Sequence, residues 1–375
     1  MRLPPFHPGD PAPTFVAPST SNPRYAFDTA AGRYVVLCFL GSAGQEDAAA
    51  ALRTATEGHR RLFDDDRVCL FAVSVDPDDQ RLGRLVGSMP GIRVFWDFDL
   101  GISRLYGASG AAPDAAGVPA PYSRFWLVLD PMLRVLLRAP LAEAGAVVRF
   151  AAALPPPGAH GGAEAPAPVL LLPRVLEPEF CRRLIALYDA RGGQESGFMR
   201  DVGGRTVGLL DPLHKRRRDC PIEDEELRAA LRARVQRRLV PEILKAFQFR
   251  ATRVERYIVA RYDAAEGGHF RAHRDNTTAG TAHRRFAVSI NLNDDFDGGD
   301  LRFPEFGPRR HRPPAGGAVV FSCSLLHEAT RVTRGLRYAT LPFLYDDAAA
   351  ELRERNARFV GAAEGGAGGA GADAG

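Results

Sequence analysis

The sequence predicts an α/β domain followed by an α+β domain whose core is a closed or two-sheet β-barrel flanked by helices. Three observations carry this. Residues 33–40 (RYVVLCFL) and 68–76 (VCLFAVSVD) are near-continuous apolar runs, as parallel strands covered on both faces require, with a helix-forming stretch between them. From residue 252 onward, short strand-like segments follow one another with turn residues at close intervals. Between the two halves, residues 154–167 (LPPPGAHGGAEAPA) are rich in Pro, Gly and Ala and lack apolar periodicity, the signature of a linker.

Each element has its own warrant. In residues 1–153, EDAAAALRTATEGHRRLF (46–63) has helix formers at helical spacing, and YSRFWLVLDPMLRVLLRAP (122–140) reads as a hairpin turning at Asp130–Pro131. Residues 168–350 begin as a helical part (168–250), with helices expected at 176–190 and 224–247, and continue as the barrel core (252–346). Seven strand candidates follow, from RVERYIVARYD to LRYATLPFLYD. The segment 195–219 lacks periodicity and is expected to form a lid over the barrel. Residues 351–375 are expected to be a tail, disordered from about 360, because GAAEGGAGGAGADAG has too little apolar surface to offset its ordering entropy.

Composition narrows the function classes. At 375 residues, 45% hydrophobic and 25% charged, the chain is of globular type. No apolar run approaches the ~18–20 residues that span a bilayer; the longest, YVVLCFL and VLLLP, read as buried strands. The opening MRLPPFHPGDPAPTF lacks the apolar segment of a secretory signal, so a cytoplasmic protein without a membrane partner is expected. The net charge of +4 gives no extended basic footprint, which disfavours a nucleic-acid partner. Its densest basic stretch, HKRRRD (214–219), reads as a solvated loop. Five cysteines lie scattered without metal-type spacing, as in a reducing compartment; Cys38, Cys69 and Cys323 sit in apolar runs and are expected in the core.

The chemistry is expected in the barrel. In a strand, residues i and i+2 share a face about 6.5 Å apart, so His273 and Asp275 can converge on one ion. His327 stands in a second strand-like context, and Arg337 follows ten residues later. Two imidazoles and one carboxylate on one face of a metal leave positions open, the facial-triad arrangement of non-haem Fe(II) oxygenases and not the closed shell of structural zinc. His269 faces the same way but lies about 13 Å along the strand, too far to share the ion.

Residues 252–346 resemble the catalytic core of 2-oxoglutarate/Fe(II)-dependent dioxygenases of the prolyl 4-hydroxylase-like branch. The resemblance is carried by RYDAAEGGHFRAHRD, NLNDDFDGGDLRFPEFG, RPPAGGAVVFSCSLLHE and VTRGLRY, in the family's order. It implies a double-stranded β-helix (jelly-roll) core. It further implies His273, Asp275 and His327 as iron ligands, Arg337 as the residue holding the distal carboxylate of 2-oxoglutarate, and Tyr262 as a cosubstrate contact. The implied cofactors are Fe(II), 2-oxoglutarate and O2, with ascorbate as an optional accessory. Prolyl hydroxylases proper usually have Lys where Arg337 stands, which weakens the substrate analogy and not the chemistry.

Residues 8–150 resemble a peroxiredoxin of the thioredoxin fold, through PGDPAPTFVAPS, GRYVVLCFLGSAGQED, SVDPDD, WDFDLGISRLYGA and PYSRFWLVLD, the last placing Arg124 where that family has an active-site arginine. The peroxidatic cysteine is missing: LGSAGQEDAAAAL (40–52) contains none, and Cys38 lies in the preceding strand, where a thiolate is disfavoured. The domain is therefore expected to be redox-inactive, serving docking or homodimerisation.

The expected function is a dioxygenase that hydroxylates a C–H bond of a protein, peptide or small molecule, releasing succinate and CO2. The rivals are a non-catalytic metal- or 2-oxoglutarate-binding sensor that uses the redoxin-like domain for docking, and a thiol peroxidase reliant on Cys38 or Cys69.

Overall fold

In the computed structural model, residues 6–110, 121–163 and 165–361 are described. The chain divides into two compact units, one of residues 1–167 with 304–308 and one of residues 168–303 with 309–375.

In the first unit, a five-stranded sheet runs in the order Ile92–Trp96, Val68–Ser74, Tyr34–Gly41, Phe125–Leu129, Val135–Pro140. The first three strands are parallel and the last two antiparallel. Every residue of the Tyr34–Gly41 and Val68–Ser74 strands is buried, as their unbroken apolar runs require. One face packs on the helices Glu46–Thr56 and Ala144–Ala153 through Ala48, Ala51, Ala55, Val147 and Val148. On the other, Phe71 stacks on Phe95 with centroids 4.8 Å apart, and both meet Phe27 edge-on. The hairpin of residues 122–140 forms with its turn at Asp130–Arg134, where the Asp130 carboxylate accepts from the amides of Met132 and Arg134.

The loop expected to precede an active-site helix is tied by acids. Ser42 Oγ donates to Asp76 (2.6 Å), the Ala43 amide donates to Asp79 (2.9 Å), and Arg124 pairs with Asp47 at 2.7 Å. Cys38 points into the core, where burial raises its thiol far above its ordinary range; burial pushes Cys69 up to about 12. Neither supplies a thiolate at neutral pH.

In the second unit two antiparallel sheets carry the architecture. The larger runs Arg253–Glu255, Phe343–Tyr345, Phe286–Asn291, Leu336–Thr340, Ile258–Asp263, Arg218–Pro221, Gln194–Glu195, with Ala318–Ser322 beside Phe286–Asn291. The smaller runs Lys215–Arg216, His269–His273, His327–Ala329, Leu301–Arg302, Arg310–His311. Helices Pro178–Arg191, Glu225–Arg238 and Val240–Phe247 cover the larger sheet through a core containing Leu184, Leu231, Val235, Ile243, Val288 and Val320.

Several expectations change. The stretch 168–250 is not purely helical: it also contributes strands at Leu170–Leu172, Gln194–Glu195, Phe198–Val202, Arg205–Leu209, Lys215–Arg216 and Arg218–Pro221. Apart from Leu170–Leu172, these are short and carry polar or charged residues, so no apolar period betrays them. Leu170–Leu172 pairs only with Ala318–Ser322, and its Leu171 is 50% exposed, so VLLLP is not a buried strand. The expected helix 224–247 breaks at Leu239, where Pro241 opens a new helix. RVERYIVARYD splits in two at Arg256, whose φ is +70°. HKRRRD is no solvated loop: strand alternation turns Lys215 and Arg217 inward, at 6% and 5% exposure. The expected tail begins inside a helix, Asp347–Asn356, capped by the Asp346 carboxylate on the Ala349 amide. Residues 362–375 lie outside the described residues.

Candidate active site

The ladder of the smaller sheet places His273 directly opposite His327, beyond a register shift that follows Phe270. Asp275 lies just past the strand end, its amide donating to the Cys323 carbonyl at 3.0 Å. The three side chains meet: His273 Nε2 lies 3.5 Å from Asp275 Oδ1, and His327 Nε2 lies 3.4 Å from Asp275 Oδ2. Their donor atoms all fall within 4.8 Å of one another, the one such cluster among the described residues.

The tautomers are fixed from behind. His273 Nδ1 sits 2.7 Å from the Arg271 carbonyl and His327 Nδ1 sits 3.0 Å from that of Leu325, so each Nδ1 carries its proton and donates. Each Nε2 lone pair is left facing Asp275, the arrangement metal-bound imidazoles use. Burial and the neighbouring His327 push His273 down to about 4, so its ring is neutral at physiological pH. Burial opposes the charge of Asp275, but the two imidazoles hold its carboxyl below the usual range, so it remains an anion. Phe270 stacks on His273 at 3.5 Å and Phe321 lies 4.5 Å from His327, which locks both rings and keeps the site apolar around the donors.

A cavity between the sheets is lined by this triad together with Tyr262, Ser289, Arg217, Arg256 and Arg337. Arg337, 2% exposed, is aimed by two strand residues: its Nε donates to Asn291 Oδ1 (3.1 Å) and its Nη2 to Ser289 Oγ (2.8 Å). Burial lowers its pKa from the usual arginine value. Tyr262 stands between two cations, with Arg337 5.2 Å and Arg217 5.7 Å from its ring. The double glycine of the middle motif is required sterically. Gly298 has φ +72° and a Cβ there would lie 2.0 Å from the Arg331 carbonyl oxygen; at Gly299, φ +67°, it would meet Arg337 Cδ at 2.8 Å.

All the expected site residues, His273, Asp275, His327, Arg337 and Tyr262, thus border one cavity. Residues 257–345 match the profile of the 2OG-Fe(II) oxygenase superfamily. These residues are a 2OG-Fe(II) oxygenase domain. Among curated proteins, this oxygenase region is similar to PKHD-type hydroxylases of two Synechococcus strains, each 24% identical over 152 residues, covering 38% of this chain and 65% of the relative. The chain therefore spans about two thirds of the length of those relatives. Among solved structures it is similar to a Pseudomonas putida prolyl-4-hydroxylase (22% identity, TM-score 0.36, 48% of this chain and 92% of that one). It is also similar to a Trichoplax adhaerens prolyl hydroxylase (15% identity, TM-score 0.36, 49% and 86%).

Arg217, Arg256, Ser289 and Asn291 are the oxygenase-site residues that sequence reading missed. Arg217 is held by Asp219 at 2.7 and 2.6 Å and by Ser196 Oγ at 3.0 Å, and it donates to Tyr262 Oη at 3.4 Å. The one available signal was the alternation in KRRRD; Ser289 and Asn291, two apart on one strand face, carried the same period. His269 takes no part: its Nδ1 contacts the Gly267 carbonyl at 2.8 Å.

Proposed function

We propose that this chain is an Fe(II)- and 2-oxoglutarate-dependent dioxygenase that hydroxylates a C–H bond of a protein, peptide or small-molecule substrate, releasing succinate and CO2. The observation that carries the reading is one cavity holding two Nε2 lone pairs, one carboxylate and, apart from them, a buried guanidinium aimed by two hydrogen bonds. In this reading His273, Asp275 and His327 would hold the iron. Arg337 presents its fork to the distal carboxylate of 2-oxoglutarate, a pairing that suits planar bidentate geometry. Tyr262 packs on that guanidinium and orients it. Bound iron with the 2-oxo acid supplies the oxidative chemistry by which O2 reaches a C–H bond. Phe270, Phe321 and Phe303 shield the donors from water, and the two backbone carbonyls behind the imidazoles keep Nε2 unprotonated. Ascorbate would serve as an external reductant.

The two sheets of the second unit are read as a double-stranded β-helix. Residues 1–153 are read as a peroxiredoxin-like, thioredoxin-fold domain that is redox-inactive and serves docking or homodimerisation. That reading is supported by the mixed five-stranded sheet and by the acids around Ser42 and Ala43, which would oppose a thiolate. A cytoplasmic setting stays part of the proposal; among the described residues no helix is long and apolar enough to cross a membrane.

The test is an anaerobic titration of purified protein with Fe(II) and 2-oxoglutarate. A visible iron-to-2-oxo-acid charge-transfer band is expected, lost in His273→Ala and needing at least about tenfold more 2-oxoglutarate in Arg337→Ala. No band in folded wild-type protein would sink the dioxygenase reading.

A further inference from the structure

The cavity carries more positive charge than iron and 2-oxoglutarate can use. A divalent iron with Asp275, and a dianionic 2-oxoglutarate with Arg337, balance one another. Arg217 and Arg256 remain, and both rest on the single carboxylate of Asp219, with Arg256 Nη2 at 3.1 Å from Oδ2. The other arginines nearby have carboxylates of their own: Arg284 pairs with Glu255, Arg312 with Asp300 and Arg261 with Asp263. Lys215 Nζ donates to Ser196 Oγ and the Gly197 carbonyl, and burial moves its pKa well below the usual lysine value. Two guanidiniums thus share one carboxylate beside the metal triad.

Arg256 is where that charge is available. Arg217 spends its donors on Asp219, Ser196 and Tyr262. Arg256 has, among the described residues, one hydrogen bond, the contact to Asp219, and its side chain is 25% exposed while lining the same cavity as the triad. Its guanidinium leans on the Phe343 ring at 5.4 Å. Its backbone is left-handed, φ +70°, a conformation a non-glycine residue rarely adopts, and it splits a strand in two. Such strain persists where surrounding structure holds it, often at a ligand site. Burial brings Arg256 down to about 10, which leaves it charged at physiological pH.

We propose that Arg256, backed by Arg217, binds a carboxylate of the substrate, so that the hydroxylated compound is a carboxylate-bearing molecule of amino-acid size. The inference rests on the dioxygenase reading. An uncharged segment of polypeptide would leave Arg256 with its single contact to Asp219.

The test uses full-length protein loaded with Mn(II) and 2-oxoglutarate under argon, so that nothing turns over. The probes are the proteinogenic L-amino acids and their N-acetyl derivatives, each as free acid and as carboxamide, with binding followed by calorimetry. At least one free acid is expected to bind, and its amide about 30-fold more weakly or not at all. Arg256→Gln removes that preference, Arg256→Lys restores most of it, and both keep 2-oxoglutarate affinity within about threefold. Equal binding of acids and amides, or binding of no acid, overturns the proposal without needing any variant. A large loss of 2-oxoglutarate affinity in Arg256→Gln also overturns it, by assigning Arg256 to the cosubstrate. Failure of wild-type protein to retain Mn(II) and 2-oxoglutarate would instead refute the dioxygenase reading.

Discussion

The chemistry of this site depends on protons being held at named atoms. His273 and His327 can face a metal with lone pairs because two main-chain carbonyls take the Nδ1 protons. A short distance away, Glu255 is the hub of a buried network, accepting from His283 Nε2 (2.9 Å) and Arg284 Nε (2.7 Å). Burial opposes its charge, yet His283 and Arg284 outweigh that and bring its carboxyl down to about 2. A carboxyl depressed in the folded state stabilises the protein above its unfolded value, and that contribution fades as pH falls toward the folded one. Wild-type protein should therefore lose thermal stability as pH drops from about 5 to about 2, by a share on the order of 3 kcal/mol due to Glu255. Glu255→Gln should start less stable and lose less over the same window. Melting curves across that range check this, and parallel curves for the two proteins would refute it.

At the scale of elements, glycines and a side-chain pin decide how the strands meet the site. Gly299 allows Arg337 to pass close to the backbone. In Gly299→Ala the new methyl should displace Arg337 Cδ and weaken 2-oxoglutarate binding by about tenfold, while Fe(II) binding without the cosubstrate changes little. Unchanged 2-oxoglutarate affinity would show that Arg337 does not need this approach. The hairpin of Phe198–Val202 and Arg205–Leu209 is held by buried Thr206, whose hydroxyl donates to Asp201 (2.5 Å) and accepts from the Gly280 amide (2.8 Å). Thr206→Val leaves those groups unsatisfied at a cost of about 1–3 kcal/mol. Limited proteolysis should then cut the hairpin faster, and an unchanged cleavage rate would argue that other contacts hold it.

On the scale of the whole chain, the five cysteines test the peroxidase rival. All are free and buried. Native protein should show no fast-reacting thiol toward an aromatic disulfide reagent, and all five should titrate in guanidinium. A rapidly modified Cys38 or Cys69 in folded protein would reopen peroxide chemistry in the first unit.

The sequence by itself determined the buried strands at 34–41 and 68–74, the hairpin after Phe125, the barrel-type second unit, and the positions of the triad and Arg337. Those features are local: an unbroken apolar run, a turn, a two-residue spacing, a motif order. Only the tertiary structure decided that Lys215 and Arg217 turn inward, that Arg256 adopts a left-handed backbone, and that Asp219 serves two guanidiniums at once. A charged edge strand reads like a solvated loop until its neighbour is known. An excess of charge in a cavity exists only once residues distant in sequence share it. The triad could be read from spacing because two of its members share a strand end; the anion pocket could not, because it is a balance struck between strands.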